Sequence, residues 1–419
     1  MPIISKSPRS EDFSSAVEDD DHDNYVAAED ALDSHDSDTI CDLVVLSHLR
    51  WDFVFQRPQH LLTRFARERR VFYVEEPIFG GDEVRLDVST RENGLYIVTP
   101  RLPEPLPEAE QHGVLRSLLD GLLAEQSISD YVLWFYTPMA LPFTNHLKPR
   151  LVVYDCMDEL SAFAGAPREM GEREAQLMSW ADLVFTGGRS LYEAKRSRHP
   201  HVYAFASSID RAHFASARQM RIDPPDQAMI PHLRAGFFGV VDERFDVQLL
   251  DQVASSTPDW HFVIIGPVMK IDPASLPRHP NIHYLGKKEY ADLPQYLAGW
   301  DVALMPFAHN DSTRFISPTK TPEYLAAGCP VVSTSITDVV TPYGEMGLVR
   351  IADGANDFAA AFDEALRDSE SDVWNSKVDR FLGGNSWDAT WTSMRELVEQ
   401  SVRDRHGPLT RNSPMSVGR

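Results

Sequence analysis

Between Val302 and Thr334 the chain passes through an apolar run (Val302-Ala303-Leu304-Met305-Pro306), a loop, a short helical segment and a second apolar run (Val331-Val332-Ser333-Thr334). Short runs of this kind are strands buried on both faces, as in parallel sheets. Strand, helix and strand in that order make a βαβ unit, and ligands gather at the carboxyl ends of its strands. The connecting segment is Ser317-Pro318-Thr319-Lys320-Thr321-Pro322-Glu323-Tyr324-Leu325-Ala326-Ala327-Gly328. Ser317 and Thr321 are each good N-caps followed by proline, so a helix is expected to begin at one or the other and to end at Gly328. Lys320 then stands in or before the first turn, against the positive end of the helix dipole. A negative ligand opposite resolves that conflict. Free backbone N–H groups with Lys320 make a phosphate cradle, and Glu323, on the same helix face, can accept hydrogen bonds from sugar hydroxyls. That pairing suits a nucleotide sugar. The plainer reading is a solvated lysine–glutamate pair, which the two flanking buried strands weaken.

The same alternation extends in both directions. Strands are expected at Leu43–Leu46, Val71–Val74, Tyr131–Phe135, Leu151–Tyr154 and Leu183–Thr186, with helices at 59–69, 109–126 and 168–180. A second series places strands at 235–239, 261–266 and 283–286, and helices near 245–255, 292–299 and 357–368. At 419 residues the chain is too long for one core. The reading is an acidic disordered tail over 1–40, an α/β domain over 41–215, a second over 216–385, a terminal helix over 386–404 and a flexible tail over 405–419. The linker between the two domains is expected at 216–232, which holds Pro224, Pro225 and Pro231. No repeat at solenoid periods is found.

Composition excludes several classes. The formal net charge is −23, much of it in residues 1–40, where Asp and Glu far outnumber Lys6 and Arg9. An acidic body without an arginine-rich tract argues against nucleic acid as partner. Cys41, Cys156 and Cys329 lie far apart and form no CxxC pair, so neither a disulfide framework nor a cysteine zinc site is indicated. The run Glu18-Asp19-Asp20-Asp21-His22-Asp23 reads as solvated, and no metal is assigned to it. With no apolar run of membrane-spanning length and no signal-peptide core, the chain is expected in the cytoplasm, with peripheral contact to the inner membrane face left open.

Several motifs in order carry a family resemblance. Ser317–Val332 resembles the donor-binding signature of GT-B glycosyltransferases of the group 1, or family 4-like, kind. Ala181-Asp182-Leu183-Val184-Phe185 with Ser190-Leu191, the turn Ser208-Ile209-Asp210 and Ser386-Trp387-Asp388 resemble later landmarks of the same family. His48-Leu49-Arg50-Trp51-Asp52, Gln56-Arg57-Pro58-Gln59-His60 and Tyr154-Asp155-Cys156-Met157-Asp158-Glu159 resemble a subset common in bacterial surface-polysaccharide clusters. The resemblance implies two Rossmann-like domains facing across a cleft, and a hexosyl transfer from a nucleotide-diphosphate sugar to a glycan or lipid-linked acceptor. No cofactor beyond that co-substrate, and no metal, is implied.

By the same resemblance Gly239, Arg244, Gly286, Lys288, Ser317, Lys320 and Glu323 make the donor site. Gly239 admits the phosphates, Arg244 meets the diphosphate, Gly286 to Lys288 lies near the nucleobase and Glu323 holds the ribose. One departure stands out: Phe315 occupies the position of the family's first signature glutamate. Asp155 and Asp158 follow a buried strand, so either is a candidate base toward an acceptor hydroxyl, or the cap of the next helix. Arg50, Arg57 and His60 are placed on the acceptor side. Arg57, His60, Arg64 and Arg67 also recur at helical spacing; the stripe reads first as a solvated face and second as a contact for anionic lipid. Two competing functions remain at this level: a sugar-nucleotide epimerase of the same fold, and a catalytically silent binding or scaffold protein.

Overall fold

A computed structural model describes residues 41–104 and 106–406. The expected tail over 1–40 lies outside the described residues, as does the tail expected over 405–419 from residue 407 on; residues 405 and 406 belong to the last helix. Two sheets, each covered by helices on both faces, account for the described chain. The first is nine-stranded: β1 (Asp42–Ser47), β2 (Val71–Glu75), β3 (Ile78–Phe79), β4 (Arg85–Thr90), β5 (Leu95–Leu102), β6 (Tyr131–Phe135), β7 (Leu151–Cys156), β8 (Leu183–Thr186) and β9 (Val202–Ala204). Its order is β3-β5-β2-β1-β6-β7-β8-β9, and β4 pairs antiparallel with β5 at one edge. The second is six-stranded: β10 (Arg234–Phe238), β11 (His261–Ile265), β12 (Ile282–Gly286), β13 (Val302–Met305), β14 (Val331–Ser333) and β15 (Val349–Ile351), in the order β12-β11-β10-β13-β14-β15 and parallel throughout.

The central strands form because nearly every side chain in them is apolar and both faces are covered. β6 reads Tyr-Val-Leu-Trp-Phe and β7 Leu-Val-Val-Tyr-Asp-Cys, and every residue of both is buried. Their alternate side chains fill two cores on opposite faces of the first sheet. The second sheet is filled the same way. Helix starts are set by side-chain caps: Asp246 accepts from Leu249 N at 2.8 Å, and Asp210 from His213 N at 3.1 Å. The last helix, Trp387–His406, contributes Trp387, Met394, Val398 and Val402 to a core of the first sheet.

Three local expectations change. The linker expected at 216–232 is anchored though largely exposed: Gln227 is buried, donates to Tyr296 O at 3.0 Å and accepts from Trp300 Nε1 at 2.9 Å, while Ile222 and Met229 face solvent. β4 and β5 were not foreseen; the turn joining them carries Asn93 and Gly94 at φ 57° and 78°, the left-handed values that Asn-Gly supplies in tight hairpins. The signature helix begins neither at Ser317 nor at Thr321. It spans Lys320–Ala326 with Thr319 at the cap position and no side-chain cap, and Gly328 ends it at φ 78°.

Candidate functional site

Both sheets direct the carboxyl ends of their strands at one cleft of about 480 Å³. From the first sheet's side come Trp51, Phe55, Gln59, Met157, Asp158 and Ser207; from the second's, Gly239, Arg244, Gly266, Tyr290, Lys320 and Glu323. Gly187, after β8, has no room for a side chain, since a Cβ there would lie 2.5 Å from Met157 O.

The floor is built around Lys320. Its ammonium lies over the rings of Phe237 and Phe307, at 5.5 and 5.9 Å from their centres. Among the described residues no carboxylate comes within 4.0 Å of it. Gly239, at φ 145°, makes this placement possible: a Cβ there would sit 2.3 Å from Lys320 Cε. Gly266, at φ 140°, clears the next strand end, because its Cβ would meet Gly239 O at 1.8 Å. Burial pushes the Lys320 ammonium toward its neutral form and Arg244 adds to that, while Glu323, Asp242 and Asp158 oppose it. Burial likewise pushes the Glu323 carboxyl up, against the pull of Lys320.

Arg244 is not a bare cation. Burial works against its charge, but Asp242 grips the guanidinium with Nε–Oδ1 at 3.0 Å and Nη2–Oδ2 at 2.7 Å, and this holds it above its ordinary value. Phe163, from the loop after β7, covers Arg244 at 5.4 Å and Lys270 at 5.3 Å, and Ala164 N donates to Glu243 at 2.9 Å. Asp158 faces the same cluster, its carboxyl raised by burial against the opposing charge of Arg244. Tyr290 lies between Phe55 and His213, stacked at 4.5 and 4.6 Å, and its hydroxyl is buried without a hydrogen-bond partner among the described residues. Asp242, Gly266, Phe163 and Tyr290 were not singled out in the sequence. Gly266 carried a readable signal, a glycine directly after a buried strand.

The structure therefore brings together Asp158, Gly239, Arg244, Ser317, Lys320 and Glu323. Lys288 lines the cleft, but its ammonium is turned away to Asp226 at 2.6 Å. Gly286 is exposed, with nothing within 4 Å of where its Cβ would be, and does not line the cleft. Phe315 packs against an outer core of the first sheet under Arg314 and is not a wall of the cleft either. Ser317 joins the two sides: its carbonyl accepts from Ser207 Oγ at 2.9 Å.

The acceptor-side assignments and one catalytic one need correction. Asp155 is fully buried and held by Arg57 through Nε at 3.1 Å and Nη2 at 2.9 Å, so it is an interior ion partner and not a free base. Arg57 does line the cleft, but it also donates to Phe205 O at 2.8 Å, so its guanidinium is engaged within the protein. His60 stacks on Trp387 at 4.5 Å, and burial pushes its pKa down to about 3. Arg50 pins a strand end, donating to Glu75 Oε2 at 3.0 Å and to Pro77 O at 3.2 Å. Arg64 pairs with Asp388 at 2.8 Å, and Arg67 with the same carboxylate at 3.7 Å. His60 and Arg64 thus face the last helix and Arg57 faces Asp155, while Arg67 stays exposed as the solvated reading expected. Among the described residues no group of His, Cys, Asp and Glu is arranged as metal ligands, and no helix is long and apolar enough to cross a membrane.

Comparison with known proteins locates this arrangement. Residues 237–368, which include the floor of the cleft, match the family described as glycosyl transferases group 1. A putative teichuronic acid biosynthesis glycosyltransferase, TuaH, of Bacillus subtilis (strain 168) is 22% identical over 317 residues, covering 70% of this chain and 77% of that protein. Among solved structures, sucrose-phosphate synthase from Thermosynechococcus elongatus superposes with a TM-score of 0.65 at 13% identity, covering 86% of this chain and 99% of that one. An E. coli structure titled trehalose-6-phosphate, bound with UDP-2-fluoro glucose, gives 0.64 at 13% identity with the same coverage. At such identities the structural likeness carries the fold alone.

Proposed function

This chain is a group 1 glycosyltransferase of the GT-B fold, and from that premise we propose that it moves a hexosyl unit from a nucleotide-diphosphate sugar to a glycan or lipid-linked acceptor in polysaccharide synthesis. The observation that carries the donor half is Lys320: a cation sunk in the cleft floor, with no carboxylate close enough to pair with it. A half-buried charge without an ion partner is costly, and a diphosphate supplies the partner.

In the transfer the bond from the sugar's anomeric carbon to the diphosphate oxygen breaks, and a bond from that carbon to an acceptor hydroxyl forms. Charge develops on the departing diphosphate. Lys320 meets it directly, and Arg244 does so from its seat on Asp242, two fixed cations on the cleft floor. Glu323 takes the ribose hydroxyls. Asp158, whose carboxyl is raised by burial, takes the acceptor proton if the anomeric configuration inverts. The nucleotide sugar serves as co-substrate, with leaving-group stabilisation assigned to these side chains. A cytoplasmic location beside the membrane that carries such acceptors belongs to the same proposal; Arg57 and Arg64 of the stripe are engaged by Asp155 and Asp388, so they do not support it.

The test is a panel of UDP-, GDP- and dTDP-sugars assayed for binding and for slow hydrolysis, with wild type beside Lys320→Ala. One nucleotide family is expected to bind and turn over, and the variant to lose both. Absence of binding and turnover across the panel contradicts the donor assignment.

A further inference from the structure

A second cavity, of about 440 Å³, lies apart from the cleft on the outer face of the first sheet. Its floor is Leu46, Val74 and Val98, from β1, β2 and β5, and its walls include Leu118, Leu119 and Phe143. No mechanism above uses it. Its lining is not apolar throughout: the buried Glu75 and the exposed Glu76 and Glu108 also line it, with Gln111, His112 and Arg173. Cavities lined by aliphatic side chains stay dry and take apolar ligands. Beside the mouth the chain also leaves apolar side chains in water: Phe79 lines the cavity and is 37% exposed, and Val84 and Val88 are 47% and 46% exposed.

The cavity is wired to the cleft. Glu75, a residue of its wall, accepts from Trp51 N through Oε1 at 2.8 Å and from Arg50 and Thr99 through Oε2 at 3.0 and 2.8 Å. Trp51 lines the cleft. A single carboxylate thus holds the cleft loop on one side and the cavity wall on the other, so a head bound at this end of the cavity would sit beside the loop that lines the cleft. Glu75 is paired with Arg50 and Glu108 with Arg173, which leaves Glu76, exposed and without an ion pair among the described residues, to select the head: a free carboxylate accepts hydrogen bonds from sugar hydroxyls and repels a phosphate or carboxylate placed beside it. Arg173 donates to Glu108 at 3.1 Å and so is itself neutralised.

We propose that this cavity holds the hydrocarbon chain of the acceptor, attached to an uncharged, hydroxyl-bearing head at the Glu75–Glu76 rim. The proposal rests on the transferase reading above for the identity of the acceptor, and on the cavity alone for the binding of the chain.

The full-length protein is titrated calorimetrically with octyl, decyl and dodecyl β-maltoside below their micelle concentrations, and separately with UDP, GDP and dTDP. Affinity is expected to rise about fourfold per added methylene until the cavity is full. Dodecyl phosphate is expected to bind at least tenfold more weakly than dodecyl maltoside. Leu118→Trp, which fills the cavity, is expected to weaken dodecyl maltoside at least tenfold and leave nucleotide binding unchanged; Phe143→Trp serves if the first variant does not fold. Affinity that is absent, independent of chain length or unmoved by both substitutions overturns the cavity site, and equal binding of the phosphate overturns the neutral head. Maltoside failure with nucleotide binding intact sinks only the cavity proposal. Nucleotide failure sinks the donor reading and leaves the chain-length series to decide the cavity.

Discussion

Arg57 with Asp155 on one side of the cleft and Lys320 with Glu323 on the other are built from the same kinds of side chain and do opposite things. Arg57 and Asp155 close on each other through three short contacts and leave nothing for a ligand. Lys320 is held over aromatic rings beside a glycine, and its neighbouring charges stand too far away to pair with it. The buried ion pair is architecture, and the half-buried cation without an ion partner is a site.

The largest expected effect falls on the closed pair. Arg57→Met strands Asp155 in the interior and is expected to cost about 3–5 kcal/mol in urea unfolding, most of it recovered in the double variant Arg57→Met/Asp155→Leu. A loss of activity without loss of stability would break the comparison. Next is Lys320→Ala, expected to lower kcat/KM about 10²–10³-fold, because it removes one fixed donor to a developing charge. Its unfolding free energy is expected to stay level or rise slightly, since a half-buried charge without an ion partner goes with it. Steady-state kinetics and denaturation on the same preparation decide both points.

Gly239→Ala sharpens the donor side. The left-handed backbone and the Lys320 contact together predict a loss of about 1–3 kcal/mol and weaker nucleotide binding, and unchanged binding would show that the lysine does not need this path. The smallest effect is a pH dependence at the closed side. Burial, with Arg64 and His213 adding to it, pushes His60 down to about 3, so below pH 6.5 the unfolded chain takes up a proton that the folded one refuses. Stability is therefore fully present above pH 6.5 and is lost as pH falls toward 3. Between pH 7 and 5 wild type is expected to lose about 2 kcal/mol more than His60→Phe, which keeps the ring against Trp387.

What could be read in advance follows a physical line. β6 and β8 were placed to the residue because a buried parallel strand is apolar at every position, a local signal. β4, with most of its residues exposed, and the three-residue β9 and β15 carry no such run, and Asn93-Gly94 was the overlooked clue to the first of these. The signature segment was legible because a lysine at a helix start is odd by itself, although the helix proved to start at Lys320 and not at a capping side chain. Arg57, His60 and Arg64 were misread for the complementary reason. Their partners, Asp155, Trp387 and Asp388, lie far along the chain, and helical spacing says which residues share a face without saying what covers it. Asp242 and Phe163 escaped in the same way, since they matter only through where Arg244 ends up.

The most direct measurement is the thermal shift of wild type and Lys320→Ala with UDP, GDP and dTDP, because a ligand bound only by the folded state raises its melting temperature. The open lysine predicts that at least one nucleotide raises the wild-type melting temperature and that the shift disappears in the variant, whose own unliganded melting temperature is no lower. A nucleotide shift of equal size in both proteins, or none with any nucleotide, would contradict the assignment of Lys320 as the unpaired cation of a diphosphate site.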